Sequence, residues 1–257
     1  MKKVRLIARI DIKNESVIKG IHLEGLRKIG DPNLIASKYY QNGIDEILFM
    51  DAVAAYYDRN NLGEIIKRAC EDIFVPITVG GGIRTLDDIS MALQNGADKV
   101  SINTQAVRTP NFIKDASEKF GSQSIVSSID AKKVGSSDWE VYIDNGREPT
   151  GIDVIEWSQE LESLGAGELL ITSIDQEGTK KGFDIALNDS VSRSVSIPII
   201  SSGGMGSTNH ALSLLKGSNV DALAVASIIH YDLDSIEHIK ETMIKNNFEV
   251  RFENSCC

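Results

Sequence analysis

Cysteine is scarce in this chain: three in 257 residues, at Cys70, Cys256 and Cys257. The count is odd, and the spacing suits neither a disulfide framework nor a zinc site. Cys70 is expected as a buried helix residue. The terminal pair does not fit a prenylation signal, whose cysteine stands fourth from the end. The four histidines, His22, His210, His230 and His238, show no ligand spacing, so neither a metal nor another cofactor is expected. No Gly-x-Ser-x-Gly or Cys/His nucleophile arrangement occurs. Basic residues are outnumbered, 27 Lys and Arg against 37 Asp and Glu, a net charge of -10. That balance excludes the basic footprint of a nucleic-acid binder, although backbone N–H groups can still hold phosphates locally. No apolar run approaches the roughly 18 residues of a membrane span, and no secretory leader precedes Val4-Arg5-Leu6-Ile7. A cytoplasmic protein that binds neither membrane nor nucleic acid is expected.

What the chain does have is an internal repeat. Gly43–Asp51 reads against Gly165–Ser173, 122 residues later, and Val75–Ile83 reads against Ile197–Met205 at the same offset. An apolar run ends in a carboxylate at Ile10-Asp11 and again at Ile129-Asp130, 119 residues apart. Such a period bears on architecture before any residue is assigned a role.

Short apolar runs alternate with amphipathic stretches throughout. Strands are predicted at Val4–Ile10, Glu46–Met50, Ile77–Val79, Lys99–Ile102, Ser124–Ile129, Glu168–Thr172, Ile199–Ser201 and Ala222–Ala226. Helices are predicted near Pro32–Gln41, Leu62–Glu71, Leu86–Gln94, Pro110–Lys119, Asp153–Leu164, Ile185–Arg193, Asn209–Lys216 and Ser235–Lys245. Eight strand–helix pairs with near-continuous apolar strands indicate a parallel sheet covered by helices. The fold class expected is α/β, a single (β/α)8 barrel over 1–257. Two fused half-barrels would compose it, about 1–120 and 121–257. A doubly wound open sheet is the competing architecture, but four units repeated with no topological switch disfavour it. Two strand-to-helix loops are long, Lys13–Asp31 and Ala131–Thr150, one per half, and loops on that face of a barrel often act as lids.

The candidate site follows from the repeat. Gly80-Gly81-Gly82 and Ser202-Gly203-Gly204 each follow a strand and precede a helix. Glycine lets the backbone approach an anion, and the helix N-terminus that follows adds its positive end. The next strands end in Asn103-Thr104 and Ala226-Ser227, which add a hydroxyl and further N–H groups. Two such clusters placed diagonally imply a ligand with a phosphate at each end. Asp11 and Asp130 end the first and fifth strands on opposite sides of the barrel mouth, where two acids can divide the giving and taking of a proton. Asp51, Asp175 and Lys19 are supporting groups. Strand alternation turns Arg5, Ile7 and Arg9 inward with Asp11. Arg5, Glu46, Lys99 and Glu168 would then form a charged ring at the barrel bottom, which is either a structural pairing or a gate for something small and polar.

These stretches resemble the cyclase subunit of imidazole glycerol phosphate synthase, from about Lys3 to Arg251. The matching segments include Val79–Arg84, Ala97–Asn103, Phe120–Gln123, Trp139–Tyr142, Pro149–Gly151 and Thr172–Asp175. The resemblance implies a lyase that joins ammonia to a bisphosphorylated ribulosyl intermediate in histidine biosynthesis. It implies Asp11 and Asp130 as the acid/base pair and Lys19 as a residue that closes over the substrate. Gly82, Asn103, Thr104, Asp175, Gly178, Gly203, Gly204, Ala226 and Ser227 would bind substrate. A glutaminase partner, docked on the N-terminal face in a heterodimer, would deliver ammonia through a gate of Arg5, Glu46, Lys99 and Glu168. The chain departs from the family at Ala8-Arg9, at Val53 and Ala55, where two hydroxyls are lost, and at Glu177, where the family has Asp. These departures resemble cyclase-like paralogues that channel ammonia into acetamidino-sugar synthesis with a glutaminase. A related isomerase working without ammonia, and a barrel that only activates a glutaminase, are further alternatives.

Overall fold

The computed structural model describes residues 3–52 and 63–252. Eight strands pair in parallel: β1 (Lys3–Lys13), β4 (Glu46–Asp51), β5 (Ile77–Gly80), β6 (Lys99–Ile102), β7 (Ile125–Lys133), β10 (Glu168–Ser173), β11 (Ile199–Ser202) and β12 (Ala222–Val225). Pairing of β7 with β10 and of β12 with β1 closes the sheet into a (β/α)8 barrel. The strands are apolar on both faces because both are covered. Outward residues such as Leu6, Ile10, Phe49 and Ile171 join one core under the helices. Inward residues Ile7, Leu48, Val126, Leu170, Ile200, Ala222 and Ala224 form a second core inside the barrel.

The covering helices are α1 (Pro32–Gln41), α2 (Gly63–Asp72), α3 (Leu86–Gln94), α5 (Asn111–Phe120), α6 (Val154–Ser163), α7 (Ile185–Ser194), α8 (Thr208–Gly217) and α10 (Ile236–Lys245). Each lies where apolar periodicity predicts it, within two residues at either end. Side-chain caps explain several starts. Asp31 and Asp153 accept amide hydrogen bonds at the first turns of α1 and α6, and Thr85 with Asp88 forms a capping box on α3. Cys70 is half-buried on α2 rather than buried, and its thiol faces the Gly96 carbonyl at 3.3 Å. Cys256 and Cys257 lie outside the described residues.

Two features depart from the sequence reading. The long loops are not irregular. Strand β1 runs on into a hairpin of β2 (Ser16–Ile21) and β3 (Glu24–Gly30), and β7 runs on into β8 (Trp139–Ile143) and β9 (Glu148–Asp153). The first hairpin turns at His22 and Leu23, with φ of 51° and 63°. Two consecutive positive φ values make the turn that suits strand twist, but neither residue advertises it as Asn-Gly would. Two short helices were also missed, α4 (Thr104–Arg108) and α9 (Ser227–His230). They have too few residues to show a helical period. Both start from the same backbone bend: Asn103 has φ -118° and ψ -85°, Ala226 has φ -135° and ψ -76°.

Candidate active site at the C-terminal face of the barrel

Alternation along β1 stacks Arg5, Ile7, Arg9 and Asp11 up the barrel interior, and the other strands fill the same levels. At the bottom, Arg5 Nη1 donates to Glu46 Oε1 at 2.6 Å and its Nη2 donates to Glu168. Lys99 Nζ reaches Glu168 Oε2 at 3.1 Å and Glu46 Oε2 at 3.4 Å. Each cation therefore touches both acids, and the expected ring is complete. Above it sits the apolar inner core.

The upper level carries the acids. Asp11 is 7 % exposed and Asp130 is 7 % exposed, one at the top of β1 and the other at the top of β7. Arg9 Nε donates to Asp11 Oδ1 at 2.9 Å, and Lys19 Nζ to Asp11 Oδ2 at 3.2 Å. Lys19, carried by the first hairpin, also ion-pairs with Glu177. Asp130 accepts a hydrogen bond from Asn103 Nδ2 at 2.9 Å.

These surroundings split the two carboxyls. Burial pushes both upward, but at Asp11 the charges of Arg9 and Lys19 outweigh it and hold the group well below the usual carboxylate range. At Asp130 burial prevails, helped by the Glu177 and Asp11 charges against the pull of Arg9, and the pKa rises to about 6. Asp11 is thus the member that rests ionised at neutral pH. Asp130 is the one able to hold and release a proton near neutrality.

A consequence for stability follows. A carboxyl raised on folding binds more protons in the native than in the unfolded state between pH about 4 and about 6. Its contribution to stability therefore falls as pH rises through that window. His230, lowered to about 4 chiefly by burial, works in the opposite sense over an overlapping window. The effect is isolated by comparison with a variant. Asp130→Asn should be more stable than the parent at neutral pH by about 2–3 kcal/mol, with the gap closing towards pH about 4. Urea unfolding of both proteins at the two pH values would show it, and a gap independent of pH would contradict it.

The glycine clusters match across the halves. Gly81 and Gly82 have φ of 91° and 72°, and Gly203 and Gly204 have 101° and 100°. A Cβ on Gly81 would lie 2.3 Å from the Asp51 carbonyl oxygen, and one on Gly204 only 2.0 Å from the Gly182 oxygen. Only glycine tolerates both the conformation and the approach. Gly204→Ala should cost about 2 kcal/mol or more in unfolding free energy, measured in urea. A loss below about 0.5 kcal/mol would show that the loop yields freely.

The other site residues are placed as follows. Thr104 and Arg108 hold Asp144 of the second hairpin, through Thr104 Oγ1 at 3.4 Å and Arg108 Nη2 at 2.9 Å. The Asp175 carboxylate accepts from the Lys133 amide at 2.8 Å, fastening the extension of β7. Gly178 (φ 73°) lets the first hairpin pass: a Cβ there would meet the Gly20 oxygen at 2.2 Å. Asp51 is buried at the end of β4, while Val53 and Ala55 lie outside the described residues. Ala226 and Ser227 line one small cavity with Lys19, Gly178, Gly203 and Gly204.

Sequence reasoning gave no role to Thr172 or Glu177 and read Ser202 only as part of a phosphate cluster, not as a partner of Arg9. Arg9 Nη1 donates to Thr172 Oγ1 at 2.9 Å and to Ser202 Oγ at 3.1 Å. Alternation could have found both hydroxyls, since each lies two residues beyond an inward residue, Leu170 and Ile200. Glu177 had no such signal, because it sits in the loop after β10 and reaches Lys19 only through the fold.

A family model described as histidine biosynthesis protein matches residues 5–234. The chain belongs to the histidine biosynthesis protein family. Members similar to it carry the name imidazole glycerol phosphate synthase subunit HisF. One from Legionella pneumophila is 58% identical over 206 residues, 80% of this chain and 97% of that protein. One from Hydrogenobaculum sp. is 48% identical over 247 residues, 96% and 98% of the two chains. One from Streptococcus sanguinis is 45% identical over 251 residues, covering 98% of this chain and all of that protein (100%). Among the described residues no helix is long and apolar enough to cross a membrane.

Proposed function

We propose that this chain is the ammonia-using cyclase subunit of an imidazole glycerol phosphate synthase. It joins ammonia to the phosphoribulosyl-formimino intermediate of histidine biosynthesis. The products are imidazole glycerol phosphate and aminoimidazole carboxamide ribotide. The observation that carries this reading is the split acid pair, Asp11 held ionised and Asp130 near neutrality. The matched glycine turns at Gly81-Gly82 and Gly203-Gly204 flank it.

Each part of the reaction has residues suited to it. A substrate with a phosphate at each end would span the two glycine turns, one end towards Gly82, Asn103 and Thr104 and the other towards Gly203, Gly204, Ala226 and Ser227. Its reacting centre would then lie between the acids. Asp11, kept ionised, takes a proton from the attacking nitrogen or from carbon. Asp130, with its raised pKa, returns one as the ring closes. Lys19 and the first hairpin cover the mouth and exclude water. Gly178 gives that hairpin room to pass, and Asp175 fastens the base of the second hairpin through the Lys133 amide.

Ammonia would come from a glutaminase subunit docked on the N-terminal face, entering at the ring of Arg5, Glu46, Lys99 and Glu168. A fully paired ring shows no net charge to a neutral molecule and opens by swinging one side chain. The relatives' shared description as a subunit agrees with such a complex.

The test is turnover of the ribulosyl bisphosphate intermediate by the purified chain with ammonium salt at alkaline pH. Imidazole glycerol phosphate is the expected product. A folded barrel that binds the intermediate and forms none of it would overturn the reading, and the amidino-sugar paralogue would take its place.

A further inference from the structure

Between the inner apolar core and the acids, the Arg9 side chain reaches across the barrel interior. Arg9 starts on β1, whereas its Nη1 lies on Thr172 of β10 and Ser202 of β11. In the barrel order β12 separates β1 from β11, and β10 lies one strand farther on. The guanidinium therefore does not run along the wall. It crosses the lumen. Arg9 is only 4 % exposed, and directly below it the inner apolar core closes round Ile7 (2 %), Leu170 (0 %) and Ile200 (3 %).

A buried arginine is tolerated only when its donors are matched, and here Nε and Nη1 meet three oxygens on three strands. The arrangement is a built one. Its two ends also differ in kind. The Nε bond to Asp11 is a charge pair beside the site, and the Nη1 bonds to two neutral hydroxyls are the far anchor.

We propose that Arg9 is a stopper on the barrel axis, so that a molecule rising from the charged ring reaches the acids only when the guanidinium leaves Thr172 and Ser202. The inference rests on the cyclase reading, in which ammonia enters from below. It deepens that reading by naming the step that controls passage. A neutral molecule with a lone pair can replace the hydroxyls as acceptor for Nη1. A cation cannot, because Arg9 offers only donors and a positive charge. Arg9 thus passes ammonia and holds back ammonium.

The experiment uses the complex with the glutaminase subunit. Product formation is measured with glutamine and, separately, with saturating ammonium salt, which reaches the acids from the mouth. Both nitrogen sources react at the same acids, so any altered ionisation of Asp11 cancels in the ratio of the two rates. Arg9→Ala removes the stopper. The double variant Thr172→Val with Ser202→Ala removes only the far anchor, leaves the Asp11 pair in place, and serves if Arg9→Ala does not fold.

In both variants the glutamine-to-ammonium ratio should rise about tenfold, the weight of one net charge-assisted hydrogen bond. Equal losses with both sources, leaving the ratio unchanged, would make Arg9 a structural strut and overturn the inference alone. No product from the parent complex with either source would overturn the cyclase reading and this inference with it.

Discussion

Asp11→Asn and Asp130→Asn are each expected to lower turnover with ammonium salt by about 10²–10⁴-fold, the usual weight of a general acid or base. The two variants should fail differently. Asn at 11 leaves Arg9 and Lys19 facing an amide, so two buried cations lose their shared counter-charge. That variant should lose stability as well as rate. Asn at 130 removes a carboxyl that burial already disfavours in its charged form, and it keeps the Asn103 contact within reach. That variant should be inactive yet more stable than its parent near neutral pH. Steady-state rates with urea titrations on the same preparations would check both. If either variant kept full turnover, the acid pair would not be the chemical centre, and a barrel that only binds and activates a glutaminase would be the better description.

Lys240→Met is expected to cost about 3–5 kcal/mol of stability, the penalty of breaking a buried ion pair from one side. Lys240 is 4 % exposed on α10. Its ammonium has three protons and three acceptors: Asp45 Oδ1 at 2.5 Å, the Gly43 carbonyl at 2.6 Å and the Arg251 carbonyl at 2.8 Å. Asp45 in turn accepts from the Leu6 amide at 2.7 Å, so the pair ties the last helix and the chain beyond it to β1 and to the entry of β4. With methionine there, the Asp45 carboxylate stays buried with one donor fewer. Lys240 faces a cavity of about 420 Å³ on the outer layer, between α1 and α10, and not the acids. Turnover per folded molecule should therefore be unchanged. Adding Asp45→Asn should recover part of the loss, because the stranded charge is then gone. A change in the unfolding midpoint worth less than about 1 kcal/mol would show that the cavity admits enough water to solvate Asp45.

Much of this protein was legible in its residues because repetition and alternation are local properties. The strand period turned Arg5, Arg9 and Asp11 to one face. The repeat brought Gly81-Gly82 and Gly203-Gly204 into matched positions, and their φ values agree across the halves. The charged ring was readable for the same reason: four residues at the bottom of four strands must meet if the barrel closes. Helix positions followed from the apolar period, and the structure adds acceptors at the starts, Asp31, Thr85 and Asp153.

Other features arise from contacts between segments far apart in the chain, and no local pattern announces them. The first hairpin was read as a loop because its turn residues, His22 and Leu23, adopt positive φ without being glycine or asparagine. The second, by contrast, turns at Asn145-Gly146, a local signal that the sequence reading passed over. Glu177 meets Lys19 across 158 residues, and Arg9 meets Thr172 and Ser202 across 163 and 193. The repeat placed both acids alike, and only their neighbours in space made one an ionised carboxylate and the other a proton carrier. The amino-acid sequence by itself determined the barrel and the level of each inward side chain, since strand period and apolar pattern are written along the chain. The tertiary structure decided which charges face which. A pKa depends on burial and on distances of a few ångströms, and those exist only once the barrel has closed.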